Sequence, residues 1–201
     1  MEVPINWSEQ AVGIDGSKYF FVGDNPETPI ESSYKQLSHR VAYDLSTQTK
    51  KQGILSEEES KNFYDELIYS FCGQKISYNS PVWFNVGLNS QYKIKEKRVH
   101  GEEGSHWAIK SDGSFSNEID CYERPQGSAC FIQSIQDHMF SILNHAVKEG
   151  MLFKYGSGTG TNFSTLRGIN EPLSGGGVAS GMLSFLRIYD IIAGRIQSGG
   201  K

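Results

Sequence analysis

Pro125-Gln-Gly-Ser-Ala-Cys-Phe-Ile-Gln-Ser134 and, one helix length later, Met151-Leu-Phe-Lys-Tyr-Gly-Ser-Gly-Thr-Gly-Thr-Asn-Phe-Ser-Thr165 are the stretches around which the rest of the sequence is arranged. Cys130-Phe-Ile-Gln133 is a short apolar run of strand character. Ser134, with Asp137 three residues on, predicts a helix start by a variant of the capping box. Ile135, Met139, Ile142, Leu143 and Ala146 mark the buried face of that helix, and Gly150 is expected to end it. Met151 to Lys154 then predicts a second strand. Strand, helix, strand is the βαβ unit, so the sheet is expected to be parallel and the fold α/β. Gly156, Gly158 and Gly160 sit at alternate positions, where missing side chains let another group approach the backbone. Gly127, Ser128 and Ala129 are small residues just before Cys130 and leave room beside its sulfur. A thiol facing bare backbone predicts a redox site around a small molecule.

Downstream, Arg167-Gly-Ile-Asn-Glu-Pro-Leu-Ser-Gly-Gly-Gly177 is too rich in Gly and Pro for a helix. From Gly181 to Gln197, Met182, Phe185, Leu186, Tyr189, Ile192 and Ile196 recur at helical spacing. Upstream, residues 1–30 predict a loop arm with an edge strand near Lys18 to Val22. Tyr34, Leu37, Val41 and Leu45 predict a helix starting at Ser32 or Ser33 and ending at Gly53. Ser56 with Glu59 forms a capping box for a further helix, with Phe63, Tyr64, Leu67, Ile68 and Phe71 inward and Gly73 at its close. Tyr78 to Gly87 predicts a loop entering a short buried strand. The resulting division is an arm and helical region over 1–77 and an α/β part over 78–201, with a polar insertion at about 89–124.

Across 201 residues, 37% are apolar and 21% charged, the balance of a globular protein. A net charge of −4 leaves no basic surplus for a nucleic-acid backbone. No apolar run reaches membrane-spanning length, and no basic-then-apolar leader opens the chain, so a cytoplasmic location is expected. Cys72, Cys121 and Cys130 are too few for a secreted disulfide framework. The glycine run has neither the spacing nor the following helix of a dinucleotide turn, and a Walker sequence is absent. His100, Glu102, Glu103, His106, Asp120 and Cys121 lack the spacing of a structural zinc site, and a solvated insertion is the expected reading. For Cys130 as a simple nucleophile, no base lies at recognisable spacing.

Four segments carry a family resemblance: Asn79-Ser-Pro-Val-Trp-Phe-Asn85, Gln126-Gly-Ser-Ala-Cys-Phe131, Glu149 to Asn162 with its glycine run, and Leu173-Ser-Gly-Gly-Gly-Val-Ala-Ser-Gly181. In this order, followed by Ser-Phe-Leu-Arg-Ile-Tyr-Asp190, they resemble the N-terminal part of the large chain of class II, adenosylcobalamin-dependent ribonucleoside-diphosphate reductases. The resemblance covers most of residues 30 to 201.

It implies a helical N-terminal region followed by the first part of a ten-stranded α/β barrel. It also implies thiyl-radical reduction of a ribonucleotide, with Cys130 as one of two cysteines that supply the reducing electrons. A dithiol on one face of the ribose delivers two electrons by local sulfur chemistry. Ser80, Ala129, Cys130, Phe163 and Ser164 are the implied substrate contacts. Asp137 and Arg167 are the implied contacts to a deoxynucleoside triphosphate effector, Arg being suited to phosphates by its forked donors. Implied partners are a thioredoxin-type reductant, a second copy in a homodimer, and the remaining C-terminal part of the reductase, which would carry the radical cysteine. By this reading the chain alone is catalytically incomplete. The alternative is a non-catalytic nucleotide-binding and dimerisation fragment.

Overall fold

The computed structural model describes residues 2–23, 30–96, 107–110, 112–117 and 119–196. The chain divides into two units, Met1–Gly127 and Ser128–Lys201.

The first unit is mainly helical. Ser8 caps α1 (Glu9–Lys18) by accepting from the Ala11 N–H. The arm is therefore a helix rather than a loop with an edge strand. Its weakly amphipathic, glycine-containing sequence carries little periodic signal, and the Ser8 cap is its clearest mark. α2 (Tyr34–Lys51) and α3 (Glu57–Cys72) start as expected, each with a complete capping box, Ser33 with Gln36 and Ser56 with Glu59. They form an antiparallel pair, with Ser60 Oγ donating to Ser46 O and His39 Nδ1 2.8 Å from Tyr64 Oη. Leu37, Val41, Leu67 and Phe71 meet between them, and Phe20, Tyr34, Val82, Trp83 and Val86 complete the core.

Gly53, at φ 71°, ends α2 in the left-handed conformation, with Gly53 N–H on Lys50 O and Ile54 N–H on Thr49 O. α3 ends by the same pair of bonds one residue later than expected. Gly73 is the last half-helical residue, and Gln74 takes the left-handed position at φ 51°.

Tyr78 to Gly87 holds a short helix, α4 (Ser80–Asn85), instead of a strand. Pro81 suits the first helical turn, where its missing N–H costs nothing. Pro81, Val82, Trp83 and Asn85 are all buried, so the run reads as uniformly apolar and hides its period. The polar stretch beyond it contains α5 (Leu88–Tyr92) and an antiparallel ribbon of β1 (Ala108–Ile109) with β2 (Phe115–Ser116). Asp120 there accepts backbone N–H groups from Glu96 and Tyr122, a loop-stapling role. His100, Glu102, Glu103 and His106 lie outside the described residues. Among the described residues no group of three or more His, Cys, Asp or Glu could hold a metal ion.

The second unit is a βαβ unit with an added helix. β3 (Cys130–Gln133) pairs in parallel with β4 (Gly158–Thr161), and α6 (Met139–Lys154) connects them. The second strand is thus the glycine run itself, and Met151 to Lys154 belongs to α6. Gly150 does not stop the helix, because its φ is not left-handed, and the close approach of Ile196 Cδ1, 3.0 Å from where a Cβ would lie, explains its lack of a side chain. Gly156 is the stop. It sits at φ 85° and donates to Phe153 O, while Ser157 N–H reaches Leu152 O. At the other end His138, not Ser134, caps α6, its Nδ1 accepting from Ser141 N–H. α7 (Met182–Arg195) packs on α6. Ile135, Ile142, Leu166 and Tyr189 form the core with Ala146, Phe163, Met182, Phe185 and Leu186 around them. Met139 and Leu143, expected inside, are exposed, and His145 and Glu149 take the buried positions on that helix face.

Among the described residues no helix is long and apolar enough to cross a membrane.

Candidate functional site

Side chains alternate along a strand, and partners at one register position project to the same side. Cys130 pairs with Gly158 and Ile132 with Gly160, so on one face the thiol has a glycine beside it. Cys130 is exposed. A Cβ at Gly158 would meet Ala129 O at 3.7 Å and one at Gly160 would meet Ile132 Cδ1 at 3.5 Å. These are ordinary contacts, so the glycines are not forced by crowding within the sheet, and they leave the sulfur's flank bare. Ala129 is engaged through its backbone, accepting from Gly158 N–H at 2.6 Å, and Ser157 Oγ donates to Ser128 O at 2.6 Å. The segment before the thiol is therefore pinned to the segment entering β4.

The opposite face is polar where it meets α6. Thr159 Oγ1 donates to Glu149 Oε1 at 2.6 Å, and Thr161 Oγ1 lies 3.2 Å from His145 Nε2. His145 is 2% exposed and is enclosed by Phe163 and Tyr189 rings. Burial holds its pKa below the ordinary 6.5, against the pull of Glu149, so the ring is neutral at pH 7. Its Nδ1 is buried with no hydrogen-bond partner. None of these residues was singled out from the sequence as part of the site. The available signal was polar residues falling at positions 145 and 149 on the stripe set by Ile142, where apolar ones are expected.

Phe163 directs its ring into the core, stacked on Tyr189 at 5.6 Å, and its carbonyl accepts from Leu166 N–H at 3.0 Å. Ser164 is exposed, and its N–H donates to Asn162 Oδ1 at 2.9 Å. Asp137 and Arg167 come together, with Arg167 Nε donating to Asp137 Oδ2 at 2.6 Å. Asp137 precedes the His138 cap and is not itself the cap. The Nη groups of Arg167 have no partner among the described residues and can still address an anion. Ser80 belongs to the first unit, at the start of α4, with its Oγ 3.1 Å from Tyr19 Oη. Of the seven implied substrate and effector positions, Ser80 lies in the first unit and the other six in the second.

The fold is that of a ribonucleotide reductase alpha subunit. The chain is similar to the Actinobacillus ureae class Id ribonucleotide reductase alpha subunit, with a TM-score of 0.52 and 17% identity over 98% of this chain and 28% of that one. Residues 21–74 match the family described as class II vitamin B12-dependent ribonucleotide reductase, and residues 128–201 match the ribonucleotide reductase barrel domain. Proteins named vitamin B12-dependent ribonucleotide reductase are 44% identical in Rhodopirellula baltica, 43% in Bradyrhizobium diazoefficiens and 39% in Streptomyces coelicolor. Each match covers 100% of this chain and 19%, 18% and 17% of the relative, so the chain spans about a fifth of their length. The chain belongs to the class II vitamin B12-dependent ribonucleotide reductase family and corresponds to the N-terminal part of its large chain.

Proposed function

We propose that this chain forms part of an adenosylcobalamin-dependent reductase that converts ribonucleoside diphosphates to deoxyribonucleotides, and that Cys130 is one of its two reducing thiols. The observation that carries the reading is the exposed Cys130 in register with Gly158, a thiol whose neighbouring strand position has no side chain. Two thiols closing to a disulfide release two electrons and two protons. Those electrons and protons balance the loss of the ribose 2′ hydroxyl as water. A thioredoxin-type dithiol then reopens the disulfide. The second reducing cysteine and the radical cysteine belong to the remaining part of the reductase. Cys72 and Cys121 are a half-buried and a buried thiol of the first unit.

Substrate contacts are assigned to Ser80, Ala129, Cys130, Phe163 and Ser164, the last two through backbone and hydroxyl groups after β4. The Asp137–Arg167 pair is assigned to the deoxynucleoside triphosphate effector, with Asp137 orienting the guanidinium and its Nη donors facing phosphate. Phe140, Leu143 and Val147 on α6, and Leu183 and Ile191 on α7, are exposed apolar residues that suit a homodimer contact. The described residues do not define a cobalamin site. Two clefts among the described residues of the first unit, about 370 and 580 Å³, are lined by arm and helix residues. When bound, the cofactor supplies the radical that initiates the reaction, and no step here runs through these residues to it.

In the complete reductase, Cys130→Ser is expected to abolish thioredoxin-linked turnover while leaving folding and nucleotide binding in place. Turnover at the wild-type rate would refute the assignment.

A further inference from the structure

Arg40 and Glu31 meet inside the first unit, each 1% exposed. Arg40 Nε donates to Glu31 Oε1 at 2.7 Å and Nη2 to Glu31 Oε2 at 3.3 Å. The carboxylate also accepts from Tyr92 Oη at 3.0 Å and from Phe21 N–H at 2.7 Å. The outer edge of the guanidinium addresses backbone: Nη1 donates to Val86 O at 2.6 Å and Nη2 to Trp83 O at 2.9 Å. Those are carbonyls at the C-terminal end of α4, where helix carbonyls lack intrahelical partners. Gly87 follows at φ 81°, and a Cβ there would lie 2.6 Å from both Arg40 Cγ and Arg40 O. The chain is thus shaped to let Arg40 come this close.

A buried ion pair is weak support for stability, since an apolar pair of similar volume often serves as well. What this pair provides is direction. A planar fork fixed by two carboxylate oxygens holds the Trp83 carbonyl of a helix only six residues long and the carbonyl of Val86, which caps it, and such a helix has little persistence of its own. Ser80 stands at the other end of that helix, one turn and a half away, with its hydroxyl on Tyr19.

We infer that the Glu31–Arg40–Tyr92 cluster is the positioning device for α4 and sets where Ser80 meets the ribonucleotide. The inference rests on the proposed substrate role of Ser80. Neither Arg40 nor Glu31 touches substrate; both act through the backbone of α4.

The test uses the complete reductase with Tyr92→Phe, Arg40→Lys and Ser80→Ala. Each is measured for substrate KM and kcat, effector affinity, melting temperature, and amide hydrogen exchange in the peptide covering 80–87. Tyr92→Phe is expected to raise KM about threefold to tenfold, the scale of one hydrogen bond, with kcat and effector affinity unchanged. Exchange in 80–87 is expected to accelerate selectively, and Arg40→Lys should exceed Tyr92→Phe in both readouts. Unchanged exchange in 80–87, or faster exchange throughout the protein with substrate and effector affinity falling together, overturns the inference. If Arg40→Lys does not fold, Tyr92→Phe alone decides by the same criteria. If Ser80→Ala raises KM but the cluster variants do not, the positioning role is overturned and the substrate reading stands. If Ser80→Ala leaves KM unchanged while 80–87 still loosens, the substrate role of Ser80 is what fails.

Discussion

Two deeply buried polar side chains, Arg40 in the first unit and His145 in the second, are treated in opposite ways. In the first, Glu31 and Arg40 sit in the core with each charged group satisfied, and their remaining bonding capacity goes to the backbone of α4 and to Tyr92. In the second, His145 lies as deep but keeps Nδ1 without a partner, and the two-stranded parallel sheet leaves Ile132 91% exposed. Parallel sheets are normally covered on both faces. The Glu31–Arg40 pair is therefore closed on itself, and the second unit presents a sheet face of the kind that is normally covered.

That contrast can be broken most forcefully at Arg40. Arg40→Met strands the Glu31 carboxylate and is expected to cost about 3–5 kcal/mol in denaturant unfolding, while adding Glu31→Leu should return most of the loss. A double variant as unstable as the single would mean that the pair is not the first unit's sensitive point. The second unit should split by face. Ile142→Ala is expected to cost about 2–5 kcal/mol, and Ile132→Ala less than about 0.5 kcal/mol in this chain. A much larger penalty for Ile132→Ala in the complete reductase, read by thermal unfolding, would sharpen the picture of a covered sheet. A smaller gain is expected at Gln74, which holds a left-handed conformation suited to glycine. Gln74→Gly should stabilise the first unit by about 0.5–1 kcal/mol, and a loss of stability would show that its side chain matters more than its φ.

The last difference is one of slope with pH. Asp15 in the first unit has its pKa raised by burial from 3.8 to about 6. The unfolded chain therefore ionises first, and the stability Asp15 contributes is full below 3.8 and lost as pH rises to about 6. His145 is shifted down from 6.5 by burial, with Glu149 opposing and Lys148 assisting. Its contribution is full above 6.5 and lost as pH falls through the folded value. Comparing Asp15→Asn and His145→Asn with the wild type by unfolding at pH 4 to 7 should give slopes of opposite sign. Parallel profiles would contradict the assignment of the two groups.

Much of this fold was legible in local chemistry. The capping box at Ser56 placed α3, because a cap names its own residue, and the spacing of Tyr34, Leu37, Val41 and Leu45 placed α2. The strand at Cys130 and the parallel pairing also followed from the sequence. Two of the errors share one source, which is that an apolar run does not state its period. Met151-Leu-Phe-Lys was read as a strand and continues α6, and Pro81-Val-Trp-Phe, read as part of a loop entering a strand, lies in α4. Gly150 and Gly156 are alike as letters, and only the first is explained by packing against Ile196 and the second by a left-handed turn. The polar residues that tie each site together, Glu31, Arg40, His145 and Glu149, interrupt apolar stripes. Their partners lie on other elements and carry no fixed spacing.

The spelling Gly-Thr-Gly-Thr along β4 has a consequence for how this segment tolerates change. Its small letters and its hydroxyl letters serve different clients on opposite sides of one ribbon. A single residue added or removed between Gly156 and Gly158 would exchange them. Methyl groups would then stand beside the sulfur, and the imidazole and carboxylate of α6 would face hydrogen atoms. One slip would crowd the thiol and unseat the scaffold together, with no intermediate register between the two.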